Sequence, residues 1–275
     1  MSPAQGEFTI AHGGGAAEPG KAIPSLLLLF PRGKRPGSDV LHDVLHGASA
    51  RADGIAVSLD YSDITGSDED GPWFELIANA VTMELRGFGA AKSSDAMTVK
   101  ALSASVDEAA EAAGFGQLEA VMLHVSPHLE SGAMATPVLR ALCSAGARIG
   151  AHLEHLAAFA WPDSGVLFAP AQFSQLMDDW STASQPSAAF FVGFRDEIDR
   201  GMVSRGLARF TQQELRLEPE LVEDRSDAIR LGQRVAAQLI PMGRMSEAQE
   251  FTLPDTRILR LEPSANGRFV RAFLG

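Results

Sequence analysis

Apolar positions along this chain change rhythm repeatedly, and each change of rhythm marks a predicted element. Residues 1 to 24 hold no sustained period and carry three consecutive glycines at 13 to 15, which predicts a mobile tail. Order is expected to begin at Ser25, where LLLLF at 26 to 30 reads as a buried strand. This run is too short to cross a bilayer and lacks the flanks of a signal peptide. PRGKRPGS turns the chain, and Ser38 is the expected N-cap of a helix with Leu41, Val44, Leu45 and Ala48 on its apolar stripe. Gly54 opens a second strand, GIAVSLDY, and residues 63 to 72 form an acidic loop. WFELIANAVTMELRGF fits two templates: two short strands around Ala78 and Asn79, or a helix over 73 to 84 with Trp73, Ile77 and Ala80 on one face.

Val99, Leu102, Val106, Ala109 and Ala113 recur every three or four residues, predicting a helix from Ser94 to Ala113 stopped by Gly114. QLEAVMLHVSP is a strand, and Thr136 with Pro137 starts a helix running to about Ala145. From His152 the same grammar recurs: strand LEHLAAFAW, turn PDSG, a helix over 171 to 180, and strand AAFFVGF at 188 to 194. After the turn RDEIDRG come MVSRGLARF, a helix from Asp227 to Ile240, and strands near 256 to 262 and 268 to 274. Strand, helix, two strands, helix, strand is the ferredoxin-like unit. The order therefore predicts an α+β fold of two tandem ferredoxin-like units, antiparallel sheets covered by helices on one face. Boundaries follow: a tail to residue 24, a first unit over 25 to 133, a connecting helix over 134 to 150 and a second unit over 151 to 275.

One segment breaks its own rhythm. In GLARFTQQELRLEP, residues 206 to 219, Leu207 shares parity with Leu215 and Leu217 while Phe210 does not. A bulge or tight bend around Thr211 to Gln213 would let all of these side chains reach one core. Arg209, Gln212 and Glu214 would then form a polar patch, though an architectural role for the break is the preferred reading; Trp161, Arg209 and Glu214 are the candidate binding residues.

Charge narrows the choice of partners. Thirty-five acidic against 23 basic side chains give a net charge of -12, which opposes nucleic-acid phosphates and anionic membrane surfaces. The single cysteine, Cys143, excludes an intrachain disulfide and a thiolate zinc cluster, and a reducing cytoplasm fits that usage. At helical spacing from Leu139, Cys143 reads as a buried core thiol.

Candidate chemistry rests on histidines. LHDVLH puts His42 and His46 one helical turn apart on one side, a spacing that chelates a divalent metal when a third ligand approaches. Asp43 stands where zinc peptidases carry glutamate, so that mechanism is not implied. The bland alternative is two half-exposed histidines flanking Leu41 and Leu45. His124 with His128 needs the loop to fold back, and His152 with His155 would point to opposite faces of extended chain. A haem held by one helix histidine is an analogy at fold level only. The acidic run from Asp60 to Gly71 lacks calcium-loop spacing, and neither a phosphate-cradling glycine loop nor a GxSxG serine turn occurs. Trp161 in WPDSGV reads as core beneath a turn.

AAFAWPDSGVLFAPAQF together with FFVGFRDEIDRGMVSRGLARFTQQELRLEP resembles the bacterial family catalogued as domain of unknown function 4261. The resemblance spans roughly residues 120 to 265 and rests on Trp161, Gly206, Leu207, Phe210, Glu214 and Leu215, with Thr211 where the family has glycine. It implies no reaction and transfers no functional residue. The expected function is a non-catalytic bacterial protein that binds a protein partner, as an adaptor or toxin-neutralising module, without a cofactor. The alternative is a metal- or haem-dependent enzyme with His42 and His46 as ligands in a ferredoxin-like cleft. Pairing of exposed sheet edges into a homo-oligomer is a third expectation.

Overall fold

The structure, a computed structural model, describes residues 23–60, 72–87, 114, 118–183, 187–252 and 257–275. Tail residues 1 to 22, the acidic loop through residue 71 and the helix expected over 94 to 113 lie outside the described residues. The described chain is a mixed helix and sheet protein with two sheets rich in antiparallel pairs.

The first sheet has seven strands in the order β2-β3-β4-β5-β1-β6-β7. They are β1 (Ser25–Pro31), β2 (Ile55–Asp60), β3 (Trp73–Ala78), β4 (Val81–Arg86), β5 (Leu118–Val125), β6 (Ala158–Trp161) and β7 (Val166–Phe168). The buried run LLLLF lies in the interior of the sheet, hydrogen-bonded to β5 on one side and β6 on the other. Every residue of that run is buried because both of its faces are covered, hence a continuous rather than alternating pattern. Of the two templates for 73 to 84, the hairpin is observed: Asn79 and Ala80 take φ of 50° and 62°, the left-handed pair of a type I′ turn.

Helices α1 (Ser38–His46) and α2 (Ala48–Ala52) lie against β2, and α3 (Thr136–Ala151) crosses β1, β5, β4 and β3. The N-cap of α1 is Gly37, not Ser38, which is its first helical residue and makes no side-chain cap. Helix α3 runs beyond the expected end at Ala145, because Gly146 and Gly150 let it settle on the sheet. A Cβ on Gly146 would stand 2.3 Å from Cδ2 of Leu26. Leu26, Leu28 and Phe30 face this helix, while Leu27 and Leu29 join Ala120, Ala158 and Ala160 in a smaller cluster on the other face.

The second sheet has six strands in the order β11-β12-β13-β10-β9-β8. These are β8 (Gly193–Asp196), β9 (Met202–Arg205), β10 (Glu214–Leu217), β11 (Gln249–Thr252), β12 (Ile258–Pro263) and β13 (Phe269–Leu274), with β10 and β13 parallel. Helix α4 (Pro170–Thr182) packs on α3 and β6, and α5 (Ala208–Thr211) is a single turn. Helix α6 (Arg225–Met242) covers β10, with the Asp224 carboxylate accepting from the Asp227 N–H at its start.

Three segments depart from the sequence expectation. LEHLAAFAW is extended only from Ala158, since His152 to Ala157 form a turn; these strands extend the first sheet instead of starting a second unit. AAFFVGF begins as a 3-10 turn over Ala188–Phe190, which tips its phenylalanines into the core, and strand β11 has no expected counterpart. An aromatic seam joins the sheets: Phe159 stacks on Phe173 at 4.2 Å, Trp161 meets Phe191 edge-on at 4.7 Å, and Phe210 reaches Phe191 at 5.7 Å.

Candidate metal centre

Helix α1 buries Leu41 and Leu45, and that choice of inner face fixes where His42 and His46 go. They stand at its solvent margin, one turn apart, with ring centroids separated by 4.3 Å. What they face is set by an irregularity in β2. Ile55 and Val57 pair with Ala78 and Leu76 on the helix-covered side of the sheet. A regular strand would then send Asp60 to the opposite side, because side chains alternate with period two. A bulge between Val57 and Leu59 inserts one residue, and Asp60 pairs with Phe74 on the helix side. The extra residue, Ser58, donates its hydroxyl to the Glu75 carboxylate at 2.7 Å.

Asp60 Oδ2 consequently lies 2.9 Å from His42 Nδ1 and 3.0 Å from His46 Nε2. The three ligand atoms all lie within 4.8 Å of one another. Side-chain exposures of 47%, 42% and 25% leave the group open to solvent. Zinc–nitrogen bonds of 2.0–2.1 Å put neighbouring ligands of a tetrahedral shell about 3.3 Å apart. The two histidine–aspartate distances would have to lengthen by only a few tenths of an ångström, which exposed side chains can do. Two imidazoles and one carboxylate suit zinc or another first-row divalent ion, and three protein ligands leave a coordination position for water or a small ligand. Asp43 does not belong to the group.

The other histidine pairs are not brought together. His124 sits on β5 with its Nδ1–H donating to the Val125 carbonyl at 2.9 Å, and its Nε2 lies 3.5 Å from the Glu84 carboxylate. Burial holds its pKa below the ordinary value. His128 lies in the 3-10 turn Pro127–Gly132. His152 ends α3, its Nε2 being 3.0 Å from Asp53 Oδ2, while His155 occupies a left-handed turn position.

Trp161 lies at the end of β6, while Arg209 and Glu214 flank the bend of 206–219 and bond to the chain itself. Trp161 is buried beneath the β6–β7 turn. Arg209 pairs with Asp163 of that turn at 2.7 Å, and Arg205 Nε donates to the Asp163 carbonyl. Glu214 accepts from the N–H groups of Gly206 and Leu207 at 3.0 and 3.2 Å and from the Ser204 hydroxyl. Its burial raises its pKa, with these hydrogen bonds acting in the opposite direction. The phase break of 206–219 is thus a bend: one helical turn, Gln212 left-handed at φ 62°, then β10. Phe210 packs on the core that buries Leu215 and Leu217.

Fold and site together define a mixed helix and sheet protein with two antiparallel-rich sheets and a surface His-His-Asp cluster. Compared with protein-family models, with curated proteins and with solved structures, the chain finds no match in any of the three.

Proposed function

We propose that this protein binds a divalent transition-metal ion through His42, His46 and Asp60. The observation that supports this reading is the convergence of three ligand atoms from two separate elements, one of them redirected by a β-bulge. An open position on such an ion polarises a bound carbonyl or phosphoryl oxygen, or lowers the pKa of a bound water. The chain's own part is to fix ligand geometry through α1 and the end of β2. The haem branch has less in its favour, since the described cavity is lined by other residues. Equilibrium dialysis against zinc, followed by elemental analysis, should give one ion per chain in the wild type and a loss of at least tenfold in affinity in His42→Ala. Unchanged uptake in that variant would refute the assignment.

The reading as a protein-binding module draws on a different observation. Leu59 and Ile77 are 43% and 41% exposed on the face of the β2–β3 pair turned away from α1, and among the described residues β2 is an edge strand. A bacterial, cytoplasmic adaptor or a homo-oligomer paired along this edge is the form it takes. Family membership with domain of unknown function 4261 and descent of both sheets from ferredoxin-like units belong to the same proposal, supported by the sequence pattern of the 206–219 segment. Light scattering coupled to size exclusion, with Leu59→Lys and Ile77→Lys beside the wild type, tests the edge: identical monomer masses in all three would remove the oligomer.

A further inference from the structure

A cavity of about 1030 Å³ opens between α3 and α4, at the large end of the range that small-molecule sites occupy. Its wall on α3 is shaped by small side chains, Ala141, Ser144, Ala147 and Ala151, which leave a trough beside Met177 of α4. Its charges are mixed: the carboxylates Asp53 and Asp178 line it together with Arg140, Arg148 and His152. Arg148 donates to the Asp53 carbonyl and His152 hydrogen-bonds the Asp53 carboxylate, so that end is internally satisfied. At the other end, eight residues or about 12 Å along α3, stands Arg140. Its guanidinium lies 5.3 Å over the Trp180 ring, and one Nη2–H donates to the Ala183 carbonyl at 2.9 Å. These two contacts hold the group in place, yet its buried Nε has no hydrogen-bond partner. The Nε is closed to solvent and so to a ligand, but a guanidinium fixed on a cavity wall still presents its Nη groups to a carboxylate or phosphate. Ser144 and Ser181 hydroxyls line the same cavity.

We propose that this trough binds a small organic anion with an apolar body, its acidic head on Arg140 and its body along Ala141, Ala147 and Met177. The site is separate from the histidine cluster and needs no metal. Phenyl phosphate is a suitable probe, titrated calorimetrically in the presence of EDTA, with inorganic phosphate alongside. Saturable one-to-one binding of phenyl phosphate is expected, at least tenfold tighter than inorganic phosphate and weakened at least tenfold by Arg140→Gln. In wild-type protein the amides shifted by the probe should cluster in 136–151 and 170–182, a readout independent of how any variant folds. No saturable binding, shifted amides confined to other elements, or affinity retained within twofold in a folded Arg140→Gln variant would overturn the proposal.

Discussion

Arg209 and Asp163 form an ion pair of 2.7 Å that ties the bend after β9 to the turn between β6 and β7, and so one sheet to the other. The partners are 15% and 25% exposed, which places the pair between a solvated surface contact and a buried one. Removing either partner should cost about 1–2 kcal/mol. A double-mutant cycle with Arg209→Ala and Asp163→Ala, read by urea unfolding, should give a coupling of about 1 kcal/mol. Strict additivity would show that the contact does not join the sheets energetically.

Glu214 gives a pH dependence with a definite sign. Burial raises its folded-state pKa, so the folded protein holds the proton more tightly than the unfolded chain does. The resulting stabilisation is fully present below the ordinary glutamate pKa and is lost as pH rises through the raised one. The stability difference between wild type and Glu214→Gln should therefore move against the wild type across that window and level off above it. Chemical denaturation at a series of pH values measures this, and parallel curves would contradict it.

His124 carries the opposite sign. Burial depresses its folded-state pKa, so its contribution is present above the ordinary histidine value and is lost as pH falls through the depressed one. Glu84 and Arg86 are the charged groups acting on it, the first raising and the second lowering its pKa. Replacing His124 with Gln should flatten the wild type's loss of stability on the acid side of neutrality. An unchanged profile would place that loss elsewhere.

Cys143 is fully buried in α3, and burial pushes its thiol pKa far up. Folded protein should react with a disulfide reagent orders of magnitude more slowly than protein unfolded in denaturant. Prompt reaction of the folded chain would mean that α3 does not stay seated on β1.

Much of this architecture is legible in local pattern. The unbroken LLLLF run announces a strand covered on both faces, and the phase break in GLARFTQQELRLEP announces a bend. Pairing partners are not legible, because the assignment of β6 and β7 to the first sheet depends on contacts more than a hundred residues apart in sequence. The same limit governs the candidate site. His42 and His46 are visible from helical spacing alone, while Asp60 reaches them only because a bulge shifts β2 by one residue, and nothing in IAVSLD marks that bulge. Arg209 and Glu214 illustrate the same limit: the sequence does not show that they bond to Asp163 and to backbone N–H groups of the chain itself.

The most direct test of the metal assignment is anomalous diffraction at the zinc edge from crystals grown or soaked with zinc. One strong peak should appear within about 2.0–2.2 Å of His42 Nδ1, His46 Nε2 and an Asp60 carboxylate oxygen. No peak at that position, or full occupancy there in Asp60→Asn and His46→Ala crystals, would contradict the assignment.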